Sequence, residues 1–390
     1  MGFRRYKQYT EDEFIDALKH DTTFGLAKVD ITPPKGLYVP VLPDNSKGKL
    51  LFHLEPMVAR TWTTIELKKA VEKGYTITKV YSVLEYPKLT GLMRNYVGNF
   101  LKMKIENSGV KTLAECNDIN ESHKKLGFDF VVSPENCHEN PGLRQLAKIC
   151  LNSLWGKFAQ RSNLSSYDFV KDYNMLICKL NDPTTASKNW HIINENTVEL
   201  RYENLTDYNI EAEYISEITG VFTTANARMR LYNMLEWLDP SQICYCDTDS
   251  VMFVYDKNNS KHKEPLNDKP NEEPKLPIGL RFGKGLGEWE DEMKEGDWIV
   301  ELVVGGAKSY AYRTHKGKIV VKQKGITLDH ANETRVNFES IKQMVLNQDI
   351  LNTCKSLKIK PSIINVWGYT LRKTPYRDSL SDGMQSLRTS

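Results

Sequence analysis

Two aspartates one residue apart constrain this chain more than any other feature. Asp247 and Asp249 stand in the run Tyr245-Cys246-Asp247-Thr248-Asp249-Ser250, between the strand-like stretches Ile243–Tyr245 and Val251–Tyr255. Two apolar runs joined by so short a polar link read as a tight hairpin. A bare Asp-x-Asp turn is more often a solvated bend than a site, because Asp is a common turn residue. Here Cys244, Val251, Met252 and Phe253 drive the turn against a packed sheet. Two carboxylates that close repel each other in half-buried surroundings. A divalent cation neutralises such a pair. Magnesium fits best, because it takes hard oxygen ligands and keeps positions open for phosphate oxygens. That arrangement serves in-line phosphoryl transfer between two metal ions about 3.5–4 Å apart.

A second feature is the helical run from about Gly142 to Arg161. At 3.6 residues per turn, Leu143, Ala147, Cys150, Leu154 and Phe158 share one face. Arg144, Lys148, Asn152 and Trp155 share another, turned by roughly 100°. For Arg144 and Lys148 alone, a solvated cationic side is the default reading. Trp155 fits that reading poorly, since an exposed indole needs a reason. A face carrying Lys, Asn and an aromatic ring can grip a triphosphate and stack on a base. One triphosphate would have to touch both features, so the hairpin and this helix face are expected at one cleft.

Around these features the chain reads as a mixture of helices and strands. Helices are expected at Thr64 to Lys73, Gly91 to Ile105, Thr223 to Leu238 (stopped by Pro240) and Phe338 to Leu346. Residues 25–45, with Pro33, Pro34, Gly36, Pro40 and Pro43 between short apolar stretches, suggest short strands and turns. Residues 164–215 look mixed, with strand-like pieces at His191–Ile193 and Thr197–Tyr202, and Ile299–Val304, Tyr310–Arg313 and Ile319–Val321 also read as strands. Residues 256–277 read as a solvated loop, and the tail from about Lys373 as frayed.

Composition narrows the function classes. With a length of 390 residues there is room for two or three domains, and 40% hydrophobic residues suffice for real cores. The formal charge of +3 provides no global cationic field, so any nucleic-acid binding must come from local clusters. Seven cysteines include no Cys-x-x-Cys pair, the basic unit of a zinc ribbon. Cys244 and Cys246 read as packing residues, and the chain as intracellular and reduced. No stretch approaches the roughly 20 apolar residues of a membrane span, so no membrane partner is expected.

The hairpin residues carry a resemblance. Tyr-x-Asp-Thr-Asp-Ser is similar to the third polymerase motif of family B DNA polymerases, and the resemblance implies Asp249 as principal metal ligand, Asp247 as supporting acid and Tyr245 as a nucleotide contact. The helix resembles the second motif, Lys-x-x-x-Asn-Ser-x-Tyr-Gly, at Lys148, Asn152, Ser153 and Gly156, with Trp155 where the family usually has Tyr. Further matches follow in order. Gly91 to Lys104 resembles the first fingers helix of protein-primed members, which makes Lys104 a second phosphate contact. Phe222-Thr223-Thr224-Ala225-Asn226-Ala227-Arg228 resembles the helix packed behind the acidic hairpin, with Arg228 structural. Lys308-Ser309-Tyr310 matches the Lys-x-Tyr element that contacts the primer end. Val321 to Ile326 resembles the thumb, where Lys322 and Lys324 would meet duplex phosphates, giving affinity without sequence choice. Gly25 to Pro43, then Thr61-Trp62-Thr63 and Glu66-Leu67, resemble the first insertion of the protein-primed branch.

The resemblance implies an α+β right-hand polymerase with partial palm, fingers, two insertions and thumb. The expected divisions are 1–90, first insertion; 91–163, fingers; 164–215, second insertion; 216–315, palm; and 316–390, thumb and polar tail. The expected activity is magnesium-dependent, template-directed DNA synthesis. The expected partners are a DNA primer-template, deoxynucleoside triphosphates and a terminal primer protein. The first motif of the family, Asp-x-x-Ser-Leu-Tyr-Pro, has no match in the sequence, and the surroundings of Asp30 fit the first insertion instead. The chain is therefore expected to start just after that motif, to lack the editing exonuclease and to be an incomplete or weakly active form. Two other readings remain open at this point. One is a catalytically inactive DNA-binding remnant of a transposon or viral polymerase. The other is a two-metal nuclease, for which the nucleotide-gripping helix has no use.

Overall fold

The computed structural model describes residues 5–46, 48, 50–88, 91–161, 163–208, 215–263, 280, 286–293, 296–326, 328, 330–347, 355–358 and 369–372. The chain divides into two compact units. Met1–Pro87 and Ala227–Ser390 form one, and Lys88–Asn226 forms the other.

The first unit opens with β1 (Arg5–Lys7), α1 (Glu11–Lys19), β2 (Gly25–Thr32), β3 (Pro43–Asp44), β4 (Leu51–Phe52), β5 (Met57–Thr63), α2 (Thr64–Glu72) and β6 (Thr76–Glu85). Four of the strands form an antiparallel sheet in the order β1-β6-β2-β5. Strand alternation explains its core: Ala27, Val29 and Ile31 of β2 point inward and are buried, while Lys28 points out. They pack with Phe14 and Leu18 of α1, Leu67 and Ala70 of α2, Trp62, Ile77 and Val83. Residues 25–45 thus hold a longer strand than their turn residues suggest; it is eight residues long and stops where Pro33 removes a ladder donor. Both helices start on capping boxes, Thr10 with Glu13 and Thr63 with Glu66, which satisfy otherwise orphaned backbone donors.

The second unit holds α3 (Arg94–Glu106), α4 (Leu113–Lys125), α5 (Pro141–Phe158), β7 (Ser166–Val170), α6 (Tyr173–Leu180), β8 (Thr185–Asn194) and β9 (Thr197–Asn204). The strands form an antiparallel sheet in the order β7-β9-β8 around the buried Val170 and Leu200. Helix α3 packs on α5, where the Tyr96 hydroxyl donates to the Cys150 carbonyl at 3.2 Å. The following helix, α7 (Glu217–Trp237), runs from this unit into the first. Its Gly220 lies so close to Ala159 that a Cβ there would come within 2.4 Å of the Ala159 Cβ, so only glycine fits.

The first unit resumes with the remainder of α7 and the hairpin β10 (Ile243–Asp247) and β11 (Ser250–Phe253). An antiparallel sheet follows, β12 (Ile299–Gly306), β13 (Ser309–Thr314) and β14 (Ile319–Gln323). After a short α8 (His330–Glu333), α9 (Phe338–Asn347) covers this sheet, with Phe338 and Ile341 packed on Val303, Ala311 and Val336. A two-strand ladder joins β15 (Lys355–Lys358) and β16 (Tyr369–Arg372). Of the expected loop at 256–277, only 256–263 lies among the described residues, and the tail beyond Arg372 lies outside them. The chain is thus a mixed helix and strand protein, as its patterning implies.

Candidate functional site

The acidic hairpin forms as its pattern requires. Asp247 pairs with Ser250, leaving Thr248 and Asp249 as a two-residue turn. Thr248 takes a φ of 39°, a region that β-branched residues rarely enter and that costs on the order of 1–3 kcal/mol. The turn half-buries Asp247 and exposes Asp249. Ile243, Val251 and Phe253 pack on Met234 of α7 and on Leu238 just past its end, so this helix backs the hairpin as expected. One anchor has no signature in the sequence. Gln242 is fully buried; its Nε2 donates to the carbonyls of Val254 and Lys263, and its Oε1 accepts from the Lys263 and Asp239 amides. It closes the open end of the hairpin, and a lone Gln before a strand gives no hint of this.

Lys308 and Tyr310 come to the same place. Ala307 and Lys308 form the two-residue turn between β12 and β13, with Lys308 at a φ of 56°. The Lys308 amide donates to the Tyr245 hydroxyl at 3.0 Å. Its Nζ donates to both oxygens of Asp247, at 2.8 and 2.6 Å, and this bond raises the lysine's pKa above its ordinary value. The Tyr245 and Tyr310 rings meet at 5.0 Å between centroids, and burial pushes both phenols upward. Lys322 sits opposite Tyr310 in the ladder and is exposed, as is Lys324 just past β14. Tyr245, Asp247, Lys308 and Tyr310 therefore form one contiguous group, with Asp249 at its rim.

One expectation fails here. Cys244 and Cys246 are exposed, because the inward face of β10 belongs to Ile243, Tyr245 and Asp247. They are not packing residues. Asp30 is engaged in its own sheet, where it accepts from the Ala59 amide at 2.7 Å and the Tyr81 hydroxyl at 3.1 Å. Both its oxygens are committed to the sheet rather than to a second acidic site. Arg228 is structural, as expected. It binds the Glu66 carboxylate through Nε at 2.8 Å and Nη2 at 2.7 Å, and Glu66 also closes the capping box of α2.

The other candidate residues lie on the second unit. On α5, Lys148, Asn152 and Trp155 are exposed, with Trp155 at 41%. Ala147 is buried and Cys150, Leu154 and Phe158 are half-buried, so the apolar face falls where the spacing places it, except that Leu143 stays exposed. Arg144 donates from Nε to the Ser108 hydroxyl at 3.3 Å, which ties the start of α5 to the end of α3, where Lys104 is half-buried.

Among the described residues no group of three or more His, Cys, Asp or Glu side chains could hold a metal ion. The hairpin does fit one divalent cation. It offers hard oxygen donors on Asp247 and Asp249, and a cationic group already sits on Asp247 in the form of the Lys308 ammonium. Among the described residues, no helix is long and apolar enough to cross a membrane.

Comparison with known proteins decides the family. The family described as DNA polymerase type B, organellar and viral, matches residues 2–119 and 133–236, well over half of the chain. The chain belongs to the organellar and viral type B DNA polymerases. The matched segments take in α3, α5 and most of α7, and stop before the acidic hairpin. No curated protein matches. Among solved structures, Phi29 DNA polymerase complexed with primer-template DNA, in a post-translocation binary complex, is similar with a TM-score of 0.49 and 17% identity. That similarity covers 87% of this chain and 48% of the other, so the chain spans about half the length of that polymerase.

Proposed function

We propose that the chain carries out template-directed DNA synthesis by divalent-cation-dependent nucleotidyl transfer. The observation that carries the reading is the contiguous group of Tyr245, Asp247, Lys308 and Tyr310 around the Asp247–Asp249 turn, in a chain of this polymerase family. Asp249 and Asp247 would hold magnesium, with Lys308 leaving Asp247 to admit it. The metal supplies charge neutralisation at the transferring phosphate. Lys104 and Lys148 contact the triphosphate, Asn152 and Tyr245 position it, and Trp155 stacks on the base. Lys308 and Tyr310 hold the primer end, and Lys322 and Lys324 meet duplex phosphates. In this reading residues 1–90 are the first insertion, 91–163 the fingers, 164–215 the second insertion, 216–315 the palm and 316–390 the thumb and tail of a right-hand polymerase. A terminal primer protein is the partner that starts synthesis. The chain by itself is a weakly active form.

The test is incorporation of a single nucleotide on a primer-template with magnesium. The unmodified chain is expected to incorporate slowly, and Asp249→Asn to abolish incorporation while leaving DNA affinity nearly unchanged. Incorporation that survives Asp249→Asn would remove the hairpin from the chemistry. No incorporation by either form, with tight DNA binding by both, would favour the DNA-binding remnant.

A further inference from the structure

We infer that Lys308 is an exchangeable stand-in for the divalent cation at Asp247. Its ammonium neutralises the carboxylate while no cation is bound, and cation binding hands it to a DNA phosphate. The inference rests on the proposed function, because it takes the hairpin as the cation site.

Three observations lead here. The first is saturation. Lys308 Nζ takes both Asp247 oxygens, at 2.8 and 2.6 Å, and these are the atoms a hard cation needs. A bound cation and this ion pair therefore compete for the same two oxygens of one carboxylate. The second is anchorage. The Lys308 backbone is pinned beside the hairpin by its amide bond to the Tyr245 hydroxyl and held at a φ of 56° in a two-residue turn. The side chain is the more exposed partner of the pair, at 57% against 28% for Asp247. Loss of the Asp247 contact would therefore leave an ammonium on a flexible four-carbon stem next to the site, not withdrawn from it. The third is what surrounds the released ammonium. Tyr310 lies against Tyr245, and the exposed Lys322 stands opposite Tyr310 in the ladder. A phosphate oxygen is the anion that suits two lysines beside aromatic rings.

The exchange gives an order to assembly. Without a cation, Lys308 cancels part of the repulsion between Asp247 and Asp249 and keeps the turn in place. With a cation, the same lysine becomes available to the nucleic-acid backbone. Cation and DNA then reinforce each other's binding by a common factor, as linkage requires.

The test uses the full chain without nucleotide and reads Mn2+ binding by electron paramagnetic resonance. Lys308→Met keeps the stem and removes the charge, and it is expected to tighten Mn2+ binding by about fivefold or more. Primer-template affinity at constant ionic strength is expected to rise with Mn2+ in the unmodified chain and to respond much less in Lys308→Met. In the unmodified protein, the reactivity of the Lys308 amine toward reductive methylation, read by mass spectrometry, is expected to rise with Mn2+ and fall again when primer-template is added. That measurement holds even if Lys308→Met does not fold. Mn2+ affinity unchanged or weakened in a folded Lys308→Met overturns the exchange, and so does methylation indifferent to Mn2+. If Mn2+ binding ignores Asp249→Asn as well, the hairpin is not a cation site, and the proposed function falls together with the exchange.

Discussion

At the scale of single residues, Lys148 and Gly156 separate binding from stability. Lys148 stands on an exposed helix face, where a lysine contributes little to folding. If its charge faces a triphosphate, Lys148→Ala should weaken nucleotide affinity by about 1.5–3 kcal/mol, the worth of a charge-assisted contact, and DNA affinity far less. Filter binding with labelled nucleotide and labelled duplex separates the two, and equal losses would mark Lys148 as plain basic surface. Gly156 is the less expected case. It lies inside α5, where glycine costs about 1 kcal/mol relative to alanine, and a Cβ there would touch nothing within 4 Å. Neither packing nor backbone shape explains it. Gly156→Ala should therefore raise the stability of the chain by about 0.5–1 kcal/mol in urea melts. It should also weaken nucleotide binding if the open space beside Trp155 is where a nucleotide sits. Stability and affinity both unchanged would leave the glycine without a role.

At the scale of elements, the first unit is held by ion pairs that sequence patterns do not announce. Glu66 is 1% exposed and completes the capping box of α2, while Arg228 reaches it from α7 across 162 positions of sequence. Breaking such a buried pair strands a charge, so Arg228→Met should cost about 3–5 kcal/mol in urea melts. A loss below 1 kcal/mol would mean that Glu66 finds another partner. Asp44 gives a pH signature. The Ser46 hydroxyl, His53 at 3.3 Å and Arg60 at 3.4 Å hold its carboxyl down at about 2. A carboxylate depressed in the folded state adds stability that is present above its ordinary range near pH 4 and lost as pH falls through about 2. Asp44→Asn should thus cost on the order of 2 kcal/mol at neutral pH and flatten the acid limb of the stability profile, measured by guanidinium melts between about pH 2 and pH 6. Helices with an apolar stripe, such as α5 and α7, and strands with alternating residues, such as β9 and β13, were readable because their period repeats over many positions. Helix α1 was readable in principle from the Thr10–Glu13 capping box, yet its mixture of charge and apolar residues hid it. The pairing of Lys308 with Asp247 was not readable. It spans 61 positions and depends on two strained turns, at Thr248 and Lys308, where local preference gives way to tertiary structure.

At the scale of the whole molecule, rate should be the missing property and DNA binding the retained one. Two metal ions a few ångströms apart need several carboxylates to offset their repulsion. The described residues offer Asp247 and Asp249 at the hairpin and no group of three acidic or other metal-binding side chains anywhere. Asp30 is spent on Ala59 and Tyr81, and Asp-x-x-Ser-Leu-Tyr-Pro does not occur in the sequence. A bridging ligand of this kind carries several kcal/mol of the barrier, and each 1.36 kcal/mol is about tenfold in rate. The purified chain should therefore extend a primer several orders of magnitude more slowly than a polymerase with a complete acidic set. Its affinity for primer-template should remain, with a log–log dependence on salt whose slope reports phosphate contacts. Replacing Lys322 and Lys324 together by Ala should reduce that slope by about 2, because each phosphate contact contributes about 0.9. Brisk extension by the unmodified chain, abolished by Asp249→Asn, would mean that another acid of this chain completes the metal site. The way to find it is to replace each remaining acidic residue of the first unit in turn, starting with Asp30, and look for the variant that loses extension while keeping its salt slope.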